Sequence, residues 1–305
     1  MNAGNDDVVV VLSVHVSPFR LSCGWKKFSP AVMAPLSEAL SEFGAVVLTG
    51  GSSGIGKSFI ELMEKISPEL AIFNLSRRVP DIKSSQLNLR HIACDLSQSA
   101  QIEATCARLE EGLNQGAPKG RILLINNSGF GSYGPFPEPN LAHQLGMIDV
   151  NVRGLVQLTA LLLPVLRARG GAIMNIASTA AFQPTPGMAT YGATKAFLLH
   201  WSLALNEELR GSGVRALAVC PGPTATNFSK AAGLTLPPLA DSLCETAEQV
   251  AEASLRALAA GKSMVVSGTR NKLLAAFSSM VPKPLAARIA GKVIARHRPL
   301  PPKTP

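Results

Sequence analysis

From residue 45 onward, short apolar runs alternate with longer stretches whose apolar residues recur at helical spacing, and this alternation constrains the fold more than any other feature. The runs are AVVLT at 45–49, LAIFNL at 70–75, HIAC at 91–94, RILLI at 121–125, AIMNIA at 172–177, VRALAV at 214–219 and MVVS at 264–267. After the first run, GIGKSFIELMEKI places Ile55, Phe59, Leu62, Met63 and Ile66 on one side of a helix. Further helices are expected near 99–113, 141–168, 190–210 and 246–260. Strands alternating with helices predict a parallel sheet covered on both faces, because each crossover carries a helix back over the sheet. The expected architecture is a single doubly wound α/β domain with a seven-stranded sheet. A length of 305 residues would also allow two small domains, so length alone does not choose.

The domain is expected over 33–268, between an N-terminal extension (1–32) and a basic tail (269–305). VVVVLSVHV at 8–16 has the look of a signal-peptide core, but Asp6 and Asp7 occupy the place where positive charge is required. Met33 opens a short leader into the first strand, so the extension reads as peripheral or disordered, or as a misassigned start. Hydrophobic residues make up 47% of the chain and charged ones 16%, which excludes a disordered protein. The net charge of +9 is not diffuse. After Glu252 there are ten basic residues and no acidic one, leaving 19 basic against 20 acidic residues before that point. No uninterrupted apolar run approaches the roughly 20 residues of a membrane span. The five cysteines and five histidines are scattered without metal-ligand spacing, so no metal is expected and a reducing, cytoplasmic setting is the simplest reading.

TGGSSGIG at 49–56 lies between the first strand and its helix. Gly50, Gly54 and Gly56 stand where a backbone must turn sharply and approach a phosphate, and the helix amino terminus offers free N–H groups and a positive dipole end. Further along, STAAFQPTPGMATYGATK places Ser178 thirteen residues before Tyr191 and Lys195 four after it. The glycine spacing and the Ser178, Tyr191, Lys195 set together resemble the short-chain dehydrogenase/reductase family, in its form of about 250 residues, over residues 44–268. NNSG at 126–129 is similar to that family's Asn-Asn-Ala-Gly, with Ser128 in place of alanine. Asn151 in DVNVRG matches its helical asparagine, and PGPTAT at 221–226 its Pro-Gly segment over the nicotinamide. The resemblance implies a Rossmann fold that binds a dinucleotide through Gly50, Ser52, Ser53, Gly54, Ile55, Gly56, Asn127, Lys195, Pro221, Gly222, Thr224 and Thr226.

The end of the second strand decides which dinucleotide. An acidic side chain there would take the ribose 2′-hydroxyl and an arginine a 2′-phosphate. The sequence is NLSRR, with Ser76 followed by Arg77 and Arg78, and NADP(H) is the expected cofactor. Two solvated arginines at a strand end would read the same. Asp95 matches the family's adenine contact, and an Asp capping the next helix would look identical.

Tyr191 and Lys195 lie four apart at a helix start and so share a face. A free tyrosine, with its pKa of about 10, needs a neighbouring positive charge to serve as a base near neutrality. Lys195 and the oxidised nicotinamide would provide it, and Ser178 would hold the substrate oxygen near the phenol. The resemblance gives Asn151 a water in a proton relay through Lys195. Taken singly, Ser178 as a helix cap and Asn151 as a buried polar kink are the structural alternatives. The expected activity is an NADP(H)-dependent oxidoreductase acting on a ketone, aldehyde or secondary alcohol, with a 3-oxoacyl thioester reductase as the competing enzyme. An NADP(H)-binding regulator without catalysis is the reading from another class.

Phe228, Leu234, Leu236 and Leu239 in the 222–245 loop point to an apolar ligand. The resemblance implies a homodimer or homotetramer built on 141–168 and 190–210. In the tail, 271–281 and 285–298 form apolar and basic helical stretches separated by PKP. Such a tail can dock on its own protein or lie at an anionic membrane surface. It lacks the interleaved aromatics of a nucleic-acid site, and no nucleic acid is expected.

Overall fold

The computed structural model describes residues 36–83, 87–115, 117–233 and 244–297. The N-terminal extension, loop residues Leu234, Leu236 and Leu239, and tail residues from 298 lie outside them. A short helix α1 (Leu36–Leu40) leads into β1 (Phe43–Thr49), α2 (Gly54–Ile66), β2 (Ala71–Ser76), β3 (Leu89–Ala93), α3 (Ser99–Gln115) and β4 (Arg121–Asn126). The second half continues with α4 (Leu141–Ile148), a π-helical turn (Asp149–Arg153), α5 (Gly154–Arg169), β5 (Gly171–Ile176), a 3-10 turn (Thr179–Phe182), α6 (Ala189–Glu208) and β6 (Val214–Cys220). After β6 come β7 (Thr224–Ala225), α7 (Phe228–Ala231), β8 (Glu245–Thr246), α8 (Ala247–Ala259) and β9 (Met264–Val266). The tail forms α9 (Thr269–Met280) and α10 (Lys283–His297).

The main sheet has seven parallel strands in the order β3-β2-β1-β4-β5-β6-β9. Strands β1, β2 and β5 are buried along their whole length, as strands covered on both faces must be. Alternate residues feed two separate cores. Val47, Phe73, Leu124 and Ile173 point to one face, where Leu109 of α3, Leu155, Leu158 and Leu162 of α5 and Leu198 of α6 cover them. Val46, Ile72, Leu123 and Met174 point to the other, under Phe59 and Met63 of α2 and Leu255 and Leu258 of α8. Burying each such side chain contributes about 1.5–3 kcal/mol, so these two layers hold the sheet.

The strand order reverses between β1 and β4. Crossovers from these two strands leave in opposite directions and open a crevice at their carboxyl ends, where ligands bind in sheets of this kind. The expected seven strands and their helices are all present. A two-stranded ribbon, β7 with β8, was not expected from the sequence. It closes the base of the 222–245 loop. The helix expected over 141–168 runs unbroken from Leu141 to Arg169, 29 residues, with the π turn inside it. By length and composition it would suffice to cross a membrane, but Leu155, Leu158, Leu162 and Leu166 pack against the sheet.

Candidate active site

The glycine loop emerges from β1 and is held in place by its neighbours. Thr49 Oγ1 accepts from the backbone N–H groups of Asn127 (2.9 Å) and Ser128 (2.9 Å), and Asn127 Nδ2 donates back to the carbonyls of Thr49 (2.9 Å) and Gly50 (3.2 Å). Asn127 thus braces the loop with its side chain. From the other side, Asn74 Oδ1 accepts from Gly51 N–H at 2.8 Å. Gly50 has φ +73, and a Cβ on Gly56 would sit 2.3 Å from the Gly50 carbonyl oxygen, so a backbone this tightly folded requires glycine at both.

Ser53 is the N-cap of α2, yet its side chain makes no capping bond, and the first N–H groups of the helix are left for another acceptor. Ser52 is half-buried in the turn, and Ile55 packs its side chain towards the α2 core. Thr226 lies beside the loop, its methyl 3.4 Å from where a Gly54 Cβ would stand. Donors converging on a concave backbone turn fit the pyrophosphate of a dinucleotide.

At the end of β2, Ser76 is buried and donates to the Arg78 carbonyl while accepting from Asn74 Nδ2. Its hydroxyl is therefore engaged, and the outward groups here are Arg77 and Arg78, both exposed. Arg77 stands 4.0 Å from Asp95 Oδ2. That contact is long and solvated, which makes it weak. Asp95 does not cap α3, which begins at Ser99; its Oδ1 closes a local turn by accepting from Ser97 N and Oγ, and its second oxygen faces Arg77.

Tyr191 and Lys195 occupy the first turns of α6 and are both buried. The Tyr191 phenol lies beside the Ser178 side chain, whose polarity favours its ionised form. Ser178 also caps the 3-10 turn, accepting from Ala180 N at 3.1 Å, so the capping alternative is seen in the structure and leaves the side chain beside Tyr191. Lys195 Nζ donates to the Ile176 carbonyl at 2.7 Å and lies 5.8 Å from the centre of the Tyr191 ring.

Burial dominates the electrostatics of this pair. It pushes the Tyr191 phenol up to about 12, against the polarity of Ser178, and the Lys195 ammonium down to about 8. Lys195 was expected to pull the phenol down; in the protein alone desolvation sets the direction, and the influence opposing it comes from Ser178 and not from Lys195. Beside Lys195 the Cys220 thiol is likewise raised to about 12 by burial, so it stays neutral there.

Asn151 sits in the π turn, fully buried. Its Oδ1 accepts from Phe130 N (3.0 Å), and its Nδ2 donates to Phe130 O (2.9 Å) and Thr194 Oγ1 (3.1 Å). The amide is committed to these partners and braces the segment after β4 against α6. Gly129 keeps that junction tight, since a Cβ there would lie 3.2 Å from both Asn151 Oδ1 and Lys195 Nζ.

On the far side, the buried Pro221 accepts from Thr179 N at 2.8 Å, and Thr224 Oγ1 donates to the Gly222 carbonyl. Gly222 is covered by Asn271 of α9, whose amide is itself held by Glu245 at 3.0 Å. Above Tyr191, Phe228 packs at 5.2 Å between ring centres. Met147, Met188 and Ala232, with Phe130 and Tyr133 against them, complete an apolar wall.

Three positioning residues were missed from the sequence. Asn74 and Thr49 had a signal, being polar positions in otherwise apolar strands. Thr194, which links Asn151 to the Tyr191 carbonyl, had none.

The Lys195 shift has a consequence for stability. The unfolded chain keeps this lysine protonated up to its ordinary 10.5, the folded chain only to about 8. Between those values the unfolded state binds more protons, so stability rises with pH. Lys195→Met is expected to be more stable than the parent at pH 7 by about 1–3 kcal/mol. That gap should narrow as pH rises through 8 and vanish above 10.5. Denaturant unfolding across this range checks it, and a gap independent of pH would contradict it.

The profile of the short chain dehydrogenase family matches residues 44–236. Serine 3-dehydrogenase of Rhizobium radiobacter is 31% identical over 191 residues, which span 61% of this chain and 74% of that enzyme. Very-long-chain 3-oxoacyl-CoA reductase of Bos taurus is 34% identical over 197 residues, 60% of each chain. Among solved structures, a short-chain dehydrogenase from Sphingobium yanoikuyae in complex with NADPH superposes with a TM-score of 0.63 at 27% identity, covering 80% of this chain and 99% of its own. With the seven-stranded sheet and the arrangement around Tyr191, these matches place the chain in the short-chain dehydrogenase/reductase family of oxidoreductases.

Proposed function

We propose that this protein is an NADP(H)-dependent oxidoreductase that interconverts a ketone or aldehyde and the corresponding alcohol, with Tyr191 as the group that gives and takes the proton. The observation that carries this reading is the buried Tyr191 phenol beside the Ser178 side chain, with the Lys195 ammonium 5.8 Å from the centre of its ring. A bound nicotinamide would supply or accept the hydride. Ser178 Oγ and the Tyr191 hydroxyl can then both donate to one carbonyl oxygen, fixing the substrate and polarising its C=O bond. Proton transfer from Tyr191 to that oxygen leaves a phenolate, which the nearby Lys195 charge stabilises. Oxidation runs the same proton back from the alcohol to Tyr191. Asn151 and Thr194 act by holding Tyr191 and Lys195 in register.

For the cofactor, the 2′-phosphate reading rests on Arg77 and Arg78 reaching into solvent where no acidic side chain ends the strand. The similarity to an NADPH-bound relative agrees with it. For the substrate, the wall of Met147, Met188, Phe130, Tyr133 and Phe228 around Tyr191 favours an apolar group beside the carbonyl. A 3-oxoacyl thioester is the second reading, supported by the 34% identity to a very-long-chain 3-oxoacyl-CoA reductase.

Tyr191→Phe is expected to lower turnover of NADPH with an aromatic or medium-chain carbonyl by roughly a hundredfold or more while leaving dinucleotide binding in place. A variant that kept most of its turnover would remove Tyr191 from the chemistry. If the parent bound NADPH yet turned over none of a broad set of carbonyls and alcohols, the regulatory reading would take its place.

Arg77→Asp removes a charge-assisted contact of roughly 1.5–3 kcal/mol, and should weaken NADPH binding by about ten- to more than a hundredfold while shifting preference to NADH. Unchanged NADPH affinity by titration would contradict the phosphate contact.

The same reading includes a homodimer or homotetramer. Leu141, Leu145 and Ile148 of α4, Leu161 of α5 and Phe197 of α6, which stacks on Trp201, are large apolar side chains left exposed on the two long helices. Light scattering at micromolar concentration should give a multiple of the chain mass, reduced to one chain by Leu161→Asp with Phe197→Asp. A monomeric parent would overturn the assembly.

A further inference from the structure

The two tail helices face the wrong way for helices that serve only to cover their own domain. Inward they present small residues: Ala275, Ser278 and Ala286 are buried. Apart from the small apolar contacts of Ala275, Ala286 and Gly291, they are fastened by polar and backbone bonds. Asn271 Nδ2 donates to Glu245, Lys283 Nζ donates to the Phe182 carbonyl at 2.7 Å, and Gly291 comes up against Pro186. Outward they present Leu273, Leu274, Phe277, Met280, Leu285 and Ile289, which are 45% to 84% exposed. In α9 the outward residues recur at spacings of one, three and four, and in α10 at four, so each helix has a defined apolar side. A docked amphipathic helix turns its large apolar residues inward; these do the reverse.

Charge narrows what can cover that side. From Thr269 to Pro305 the chain has eight basic residues and no acidic one, and Arg270, Lys272, Arg288 and Lys292 are exposed among the apolar residues. A second copy meeting this surface face to face would set the same positive charges against each other. Nucleic acid would pair with the charges but leave the leucines, Phe277 and Met280 without partners. An anionic bilayer satisfies both kinds of residue, with acyl chains around the apolar side chains and phosphate headgroups beside the lysines and arginines.

We propose that α9 and α10 dock this protein on an anionic lipid surface. The helices are fastened to the segment between Ser178 and Tyr191, through Phe182 and Pro186, so docking brings the lipid surface to the side of the molecule that carries the catalytic set. The proposal does not depend on the reaction catalysed.

The test is sedimentation of the full chain with vesicles of equal parts phosphatidylcholine and phosphatidylglycerol, against vesicles of phosphatidylcholine alone. Binding is expected to the mixed vesicles, at least about tenfold weaker to the neutral ones, and to fall as salt rises. Leu273→Ser with Phe277→Ser and Ile289→Ser should weaken binding more than about tenfold with an unchanged melting temperature. Arg288→Gln with Lys292→Gln should remove much of the preference for anionic vesicles. Undiminished sedimentation of the serine variant would overturn the proposal. So would absence of sedimentation by the parent, whether it self-associates through this surface or is retained on duplex DNA instead.

Discussion

The clamp between Thr49 and Asn127 supports everything that happens at the crevice. One threonine hydroxyl accepts two backbone N–H groups from the end of β4, and one asparagine amide returns to two carbonyls at the end of β1. These bonds join the two strands at the point where they stop pairing with each other. In a doubly wound sheet this is where the chain directions diverge, and without cross-links the two loops would be free to separate. Asn74 repeats the device from β2, so the glycine loop is held from both neighbours. The donors that would meet a phosphate are therefore preorganised, and little ordering is left for the moment of binding.

Around the tyrosine the same economy of partners recurs at higher electrostatic cost. A buried lysine and a buried phenol are each displaced from their ordinary pKa by desolvation, in opposite directions. Both shifts favour the neutral forms, and both are sustained by the packing of α6 against β5 and by the Asn151–Thr194 link. A site of this kind destabilises the folded state locally, and the two apolar layers of the sheet offset it. The π turn at Asp149–Arg153 belongs to this balance: it turns Asn151 inward from a helix that is otherwise continuous with the core.

The periphery is coupled to the centre by a short polar chain. Glu245 accepts from Ser267 and Asn271, and Asn271 lies on Gly222 beside the site. The tail helices thus begin at the crevice. A contact that displaced α9 would be felt at Gly222, because a close-packed glycine has no slack to absorb it.

Much of this was legible in the sequence for a definite reason. Strands buried on both faces read as unbroken apolar runs, a backbone that approaches a phosphate must be glycine, and residues four apart on a helix share a face; each rule is local, so seven strands, the loop at 49–56 and the Tyr191–Lys195 pair could be placed without coordinates. What depended on distant parts of the chain could not. The β7–β8 ribbon joins residues some twenty apart, the commitment of the Asn151 amide requires Phe130 and Thr194, and the upward shift of the Tyr191 phenol follows from burial, which no spacing reports. The tail shows the division most plainly: its amphipathic pattern was set by sequence alone. Which side of that pattern faces the domain was decided only when Lys283 found the Phe182 carbonyl and Asn271 found Glu245, because polar tethers at the helix ends, rather than the apolar stripe, determine how these two helices sit.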